Sequence, residues 1–184
     1  MLPDDRTLHQ TVFRALRAAL ALSASEADRH LLRAYAETPA AEPSPQTDVC
    51  YYFLQTDAQS KLLQETEVQN SQHHAYSYIP CRLILVFYGP SCESWAHRCR
   101  TFLYLDGRTG PRGILREAGL FPVPFPQPPS ILYEETGKAF RKRADLTLDL
   151  RLLDDSAYGS AISHAPIPVD TIQTPPTVTI HVSE

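Results

Sequence analysis

The first apolar residues of the chain recur at helical spacing. Between Thr7 and Leu22, leucine, valine and alanine fall three and four positions apart, with arginine and glutamine elsewhere around the axis. This pattern predicts an amphipathic helix. A second helix is predicted from Ser25 to Glu37, because Ser25 followed by Asp28 has the form of a capping box. Residues 38–47, TPAAEPSPQT, then predict an extended connection, since proline disfavours helix.

Strand patterns follow. Residues 49–55, VCYYFLQ, are β-prone, whereas residues 56–75 are polar and predict a long loop with at most one helical turn. Residues 75–89, AYSYIPCRLILVFYG, predict the longest strand. One face would carry Ile79, Cys81, Leu83, Leu85 and Phe87, and the other Tyr78, Arg82, Ile84, Val86 and Tyr88. Apolar residues on both faces of its second half predict a central strand covered on both sides.

A helix is predicted directly after this strand. Gly89 ends the strand, and Pro90 suits the first turn of a helix. The apolar residues that follow fall at i, i+3, i+4, i+7, i+10 and i+11 and would form one buried stripe: Cys92, Trp95, Ala96, Cys99, Phe102 and Leu103. We therefore expect the helix to fold back across the sheet.

The last third of the predicted domain begins with two irregular stretches. Residues 106–113, DGRTGPRG, predict a turn-rich arginine loop, and residues 114–130 form a short segment broken by proline. Residues 131–155 predict a β-hairpin. Its second arm alternates cleanly, with Ala144, Leu146, Leu148, Leu150 and Leu152 inward and Arg143, Asp145, Thr147, Asp149 and Arg151 outward.

The sequence changes character after Asp155. Residues 156–176 are small, polar and proline-rich, and residues 177–182, TVTIHV, form an isolated strand-forming stretch. We expect a domain over 1–155 and an extended arm over 156–184. The strand-forming stretch would add to a sheet edge, in its own subunit or a neighbour, through residues such as Val178 and Ile180.

Composition narrows the class of protein. A chain of 184 residues with 43% hydrophobic and 21% charged residues suits one soluble domain, and its 16 prolines against 7 glycines are unusual. A net charge of −4 argues against DNA binding as the main function. The start of the chain lacks a secretion signal and no stretch approaches about 20 apolar residues, so we expect an intracellular protein without membrane contact. The four cysteines include no CxxC pair, and no disulfide is expected.

Several groups of residues are candidate chemical sites. Cys92, His97 and Cys99 could form a metal or nucleophilic site, but seven helical residues separate the two cysteines by about 10.5 Å, which favours buried core thiols. His73 with His74 is favoured as a solvated loop pair. The acidic pairs Glu134–Glu135 and Asp154–Asp155 fall at strand ends, where solvated charge is typical. No nucleotide, hydrolase or metalloprotease motif occurs, so we predict no enzyme, cofactor or metal.

Basic residues offer the remaining candidates. Arg141, Lys142 and Arg143 form a run, and Arg108 and Arg112 lie in the glycine loop. The run could protect a strand edge from unwanted pairing. Alternatively, these residues could face an interface or a DNA-containing lumen, because phosphate contacts require positive charge without a base-reading motif.

The order of these elements resembles that of bacteriophage neck and tail terminator proteins. The family's long strand ends in YG, its next helix contains WA, and a Gly-Ile step, a proline segment and a strand of R..LDL pattern follow. Here these are Tyr88-Gly89, Trp95-Ala96, Gly113-Ile114, Pro122 to Pro129, and Arg143 with Leu148-Asp149-Leu150. The resemblance covers residues 5–155, and the arm is outside it.

The resemblance implies an α+β fold, with a mostly antiparallel sheet packed by two or three helices. It also implies a virion protein without catalytic residues, made in the host cytoplasm, that forms a hexameric ring. Such a ring caps the tail tube at the neck and joins it to the head-completion proteins, with a sheath protein as a further neighbour and DNA passing through its lumen. Two alternatives are another head- or tail-completion connector, and a small enzyme with an unrecognised site.

Overall fold

The structure, a computed structural model, describes residues 4–34, 44–57, 63–69, 72–105, 110–124, 126–136 and 139–154. Within these ranges the chain forms four helices and seven strands. The helices are α1 (Asp5–Leu20), α2 (Ala24–His30), α3 (Cys92–Leu105) and α4 (Pro111–Glu117). The strands are β1 (Leu31–Arg33), β2 (Val49–Thr56), β3 (Leu63–Gln69), β4 (Gln72–Tyr88), β5 (Leu120–Pro122), β6 (Ser130–Thr136) and β7 (Ala139–Asp154).

The strands join into one sheet of order β1-β2-β4-β7-β5. β3 pairs with the first part of β4, and β6 with the first part of β7. The pairs are antiparallel except β1 with β2. The two long central strands, β4 and β7, pair from Ser77 opposite Asp154 to Tyr88 opposite Arg143. The expected α+β fold with a mostly antiparallel sheet is confirmed, with four described helices rather than two or three.

Helices α1, α3 and α4 contact one another and pack against one face of the sheet. That face presents the two alternating sets predicted from the sequence, and all are buried: Ile79, Cys81, Leu83, Leu85 and Phe87 on β4, and Ala144, Leu146, Leu148, Leu150 and Leu152 on β7. Burying each large aliphatic side chain contributes about 1.5–3 kcal/mol relative to exposure. Strand alternation therefore identified the core side of both central strands.

The opposite face of the sheet differs from the prediction. Ile84, Val86 and Tyr88 on β4 are half-buried, and no described helix packs over them. The prediction that β4 is covered on both faces was therefore wrong for the described part of the chain. A run apolar on both faces indicates low polarity but does not specify what covers each face.

The second helix is shorter than predicted, and its N-cap lies two residues earlier, at Ser23 instead of Ser25. Its capping box consists of Ser23 and Glu26: the Glu26 amide donates to Ser23 Oγ at 3.3 Å, and the Ser23 amide donates to Glu26 Oε2 at 2.8 Å. The predicted box of Ser25 and Asp28 was wrong. The helix ends at His30 because the next residues form β1, parallel to β2, with Leu31 opposite Cys50.

Two predicted loops contain regular structure. Part of the predicted 56–75 loop forms β3, which pairs with the start of β4 from Leu63 opposite Tyr78 to Gln69 opposite Gln72. The end of the glycine-rich loop forms the start of α4, with Gly110 as its N-cap and Pro111 in its first turn. Proline lacks an amide hydrogen, but the first amides of a helix have no partner within it, so this position tolerates proline.

The corner between β4 and α3 forms where Gly89 and Pro90 predicted it. Gly89 has a φ of +104°, which side-chain-bearing residues rarely adopt. Asp48 Oδ1 accepts a hydrogen bond from the Ser91 amide at 2.6 Å, beside the start of α3. The predicted stripe on α3 is buried at Cys92, Ala96, Cys99 and Leu103. Trp95 is half-buried and Phe102 is 39% exposed, so the stripe is narrower than predicted. None of the described helices is both long and apolar enough to span a membrane.

Candidate assembly surfaces

The candidate chemical residues do not come together into a site in the described part of the chain. No group of three or more His, Cys, Asp or Glu side chains there could hold a metal. All four cysteines are free and buried. Burial raises the pKa of the Cys81 thiol to about 11 and the pKa of the Cys99 thiol further, so both stay protonated at neutral pH. A nucleophilic cysteine needs the reverse shift.

The histidine and acidic residues considered as chemical sites are also separated from one another. His97 is exposed on α3, away from the buried cysteines. Glu134 accepts a hydrogen bond from the Tyr88 hydroxyl at 3.0 Å. Asp154 is buried at the end of β7, where its carbonyl accepts from Ser77 Oγ at 3.3 Å. Asp155 and the side chains of His73 and His74 lie outside what the structure describes.

The predicted basic run lies on the β6–β7 hairpin and has acidic and aromatic partners there. Lys142 Nζ donates to Glu93 Oε2 on α3 at 2.6 Å, which lowers the pKa of Glu93 and raises that of Lys142. Arg143 donates through two nitrogens to the Asp145 carboxylate, at 2.6 and 2.8 Å. Such a bidentate pair is stronger and more directional than a single contact.

The other basic candidates are also held within the subunit. The guanidinium carbon of Arg141 lies 4.3 Å from the centroid of the Tyr88 ring, a cation–π contact. Arg112 donates to the Tyr104 carbonyl at 2.8 Å, fastening α4 to the end of α3. Arg108, Val178 and Ile180 lie outside the described residues. The hairpin groups the run with acidic residues, and the assignment of the run to an interface or a lumen stays a prediction.

The same hairpin exposes large apolar side chains that the sequence reasoning missed. Leu132 is 46% exposed, Tyr133 69% and Phe140 75%. Tyr133 pairs with Lys142 and Glu135 with Phe140, so these four side chains share the face that carries Ala144. Exposed aromatic residues clustered on one surface are typical of interaction sites. The sequence feature that could have indicated this surface is the first hairpin arm, SILYEET, in which apolar residues precede two acidic ones.

A second surface lies at the opposite edge of the sheet, where α1 crosses β1 and β2. It is a hollow of about 390 Å³ whose floor includes His9, Phe13 and Tyr52, with Arg6, Arg14 and Arg33 among its other lining residues. The residues from α1 follow helical spacing, so they line one side of that helix. The sequence placed arginine and glutamine away from the apolar side of this helix, but the strand residues that complete the hollow, Arg33 and Tyr52, come from distant positions.

Charges around this hollow are unevenly paired. Arg33 donates to Asp5 at 2.7 Å, whereas Arg6 and Arg14 are exposed and make no ion pair with another described residue. His9 is 5% exposed and lies 3.3 Å from Asp5. Burial, and then the positive charge of Arg33, lower the pKa of His9, so its ring is neutral at neutral pH. The hollow therefore combines an apolar floor with a positive rim.

Comparison with known proteins identifies the family to which the chain belongs. A search of curated proteins finds no match to the chain. The model of the family described as phage neck terminator protein matches residues 10–183. This match extends beyond the resemblance seen over residues 5–155 and includes most of the region predicted to be an arm. Because it covers far more than half of the sequence, this chain belongs to the phage neck terminator protein family.

Proposed function

We propose that this protein is a structural component of the phage neck that forms a ring at the top of the tail tube. The ring stops growth of the tube by occupying its terminal surface and presents a new surface to the head-completion proteins. The observation that carries this proposal is the family match over residues 10–183. The mechanism requires complementary surfaces and no catalytic residue.

The fold supports assembly through its edges. In a closed ring, each subunit contacts its neighbours through two different surfaces, because the interface is head-to-tail. The described sheet has a different surface at each edge: the exposed aromatic side chains of the β6–β7 hairpin at one, and the arginine-lined hollow beside β1 at the other. An open sheet edge also offers unpaired backbone groups to another chain.

DNA would pass through the lumen of such a ring without sequence-specific contacts. Positive charge is sufficient for contact with phosphates, and the strength of the contact falls as salt rises. Arg108, Arg112, Arg141, Lys142 and Arg143 are the proposed lumen or interface residues, with Val178 and Ile180 proposed for the interface. Lys142 and Arg143 are ion-paired with Glu93 and Asp145, which would keep their attraction for DNA weak. Weak attraction suits a channel that DNA must leave.

The proposal is tested with the purified protein and tail tubes of the same phage. Native mass spectrometry would give the number of subunits in the assembly, with a hexamer expected. Negative-stain electron microscopy would show rings at one end of each tube, and tubes grown with the protein present should be shorter. A protein that stays monomeric with tubes present would contradict the terminator role. Binding to a purified head connector without binding to tubes would favour another connector function.

A further inference from the structure

One edge of the sheet carries exposed aromatic rings beside a carboxylate, and the other carries a hollow lined by aromatic side chains and arginines. We call the face of the β6–β7 hairpin formed by Tyr133, Glu135 and Phe140 the knob, and the hollow lined by Arg6, Arg14, Arg33, His9, Phe13 and Tyr52 the socket. We propose that the knob of one copy of this chain docks into the socket of a second copy. The inference rests on the proposed ring-forming function and identifies its subunit contact.

The knob is a compact arrangement of two aromatic rings and one carboxylate. Tyr133 and Phe140 are diagonal neighbours on adjacent strands, since Tyr133 pairs with Lys142 and Phe140 with Glu135. Glu135 is exposed beside Phe140. The ion pair between Lys142 and Glu93 connects the hairpin to α3 and so holds the knob in one orientation. Aromatic side chains are favoured interface anchors because they bury a large area with few rotatable bonds.

The socket has the features that such a knob requires. Its volume of about 390 Å³ can accept aromatic rings against the Phe13 and Tyr52 side chains. The exposed guanidinium groups of Arg6 and Arg14 stand where an incoming carboxylate could pair with them. Exposed arginines beside an apolar floor therefore match an aromatic surface flanked by a glutamate.

The sheet order makes the contact intermolecular. β1 lies at one edge and β6 beyond β7 at the other, with β2, β4 and β7 between them. Four strand spacings of about 4.8 Å separate the two edges by roughly 19 Å, so one rigid sheet cannot join its own knob and socket. A contact between different surfaces of identical copies is head-to-tail and extends until the ring closes. This is the interface class that the proposed function needs.

Complementation between two variants tests this contact in the full-length chain. The knob variant carries Tyr133→Ser and Phe140→Ser, and the socket variant carries Arg6→Glu and Arg14→Glu. All four side chains are exposed, so the substitutions should leave the fold intact. Each variant must first show the cooperative thermal unfolding of the wild type. Each variant should associate at least about tenfold more weakly than wild type, because loss of a central aromatic anchor or charge pair typically has that effect.

The informative sample is the mixture. Equal amounts of the two variants should form a one-to-one heterodimer and no larger assembly, because only one intact knob and one intact socket remain. Native mass spectrometry and sedimentation velocity would both report it. Glu135→Lys added to the socket variant should restore self-association through reversed charges. Arg98→Glu, which makes the same kind of charge reversal at one exposed position of α3, is the control and should assemble as wild type does.

The outcomes separate the two proposals. If wild type forms rings and both variants form them equally well, the knob–socket contact is wrong and the ring-forming function stands. If the mixture stays monomeric while wild type assembles, the contact is also wrong. If wild type is monomeric both without and with tail tubes, both proposals fail. If a double variant unfolds, Glu135→Lys by itself on this exposed side chain serves as the knob variant.

Discussion

Gly89 shows how one residue depends on a distant partner. Its φ of +104° could be suspected from the sequence, because glycine followed by proline marks a sharp corner. The atoms that lie against this glycine could not be predicted from the sequence. A Cβ atom at this position would stand 2.5 Å from Asp48 Oδ1 and 2.7 Å from the Thr47 carbonyl oxygen. The same Asp48 side chain accepts the Ser91 amide at the start of α3, so glycine allows that contact to form.

We expect Gly89→Ala to destabilise the fold more than Gly119→Ala. Both glycines have positive φ, which costs an alanine about 1–2 kcal/mol. Gly119 has room for a methyl group, since its nearest neighbour would be Leu153 Cβ at 3.5 Å, whereas Gly89 does not. The free energy of unfolding in urea should fall by about 1 kcal/mol for Gly119→Ala and by roughly 3 kcal/mol for Gly89→Ala. Equal losses would show that Asp48 moves aside freely.

Element boundaries reveal what local pattern can and cannot predict. α1 and β7 were predicted because each carries a strong apolar periodicity, and β2 and the second half of β4 because each is a run of β-prone or apolar residues. β3 was missed because its sequence, LQETEVQ, has no apolar face, and its pairing with β4 provides its stability. β1 was merged into a helix because Leu31 and Leu32 suit either structure. Pairing with β2, about 20 residues later in the chain, decides between them.

The N-cap of α2 can be tested with two serine variants, one at the observed cap and one at the predicted cap. Ser23→Ala should lower the free energy of unfolding by about 1 kcal/mol, because the Ser23 hydroxyl accepts the Glu26 amide. Ser25→Ala should change it by less than about 0.5 kcal/mol, since Ser25 lies inside the exposed first turn. Chemical denaturation of the two variants under the same conditions measures both. A larger loss for Ser25→Ala would support the box predicted from sequence.

The surfaces of the whole molecule were less predictable than its core. The basic run was visible in the sequence, but two of its contacts were not: Lys142 ion-pairs with Glu93 on α3, 49 positions away, and Arg141 lies over the ring of Tyr88 on β4. The socket likewise combines α1 with β1 and β2. Periodicity identifies which side of one element is apolar, whereas a site between elements depends on how they cross. The family resemblance could be seen because its motifs are contiguous.

The region from 156 to 184 provides the last prediction. β7 ends at Asp154, whose backbone carbonyl accepts a hydrogen bond from Ser77 Oγ, so the described strands end before this region begins. The family match nevertheless continues to residue 183, so it includes most of this region. A protein truncated after residue 155 should therefore keep a cooperative thermal transition, measured by circular dichroism, but assemble more weakly in sedimentation velocity.

Full-length protein carrying Val178→Asp and Ile180→Asp is the matched variant for this truncation. It keeps the length of the chain but opposes strand addition by TVTIHV, because buried aspartate would lack a partner. It should assemble as weakly as the truncated protein, which would place the effect in this stretch. Loss of the cooperative transition on truncation would show instead that the region belongs to the folded core, and the proposed boundary at residue 155 would be wrong.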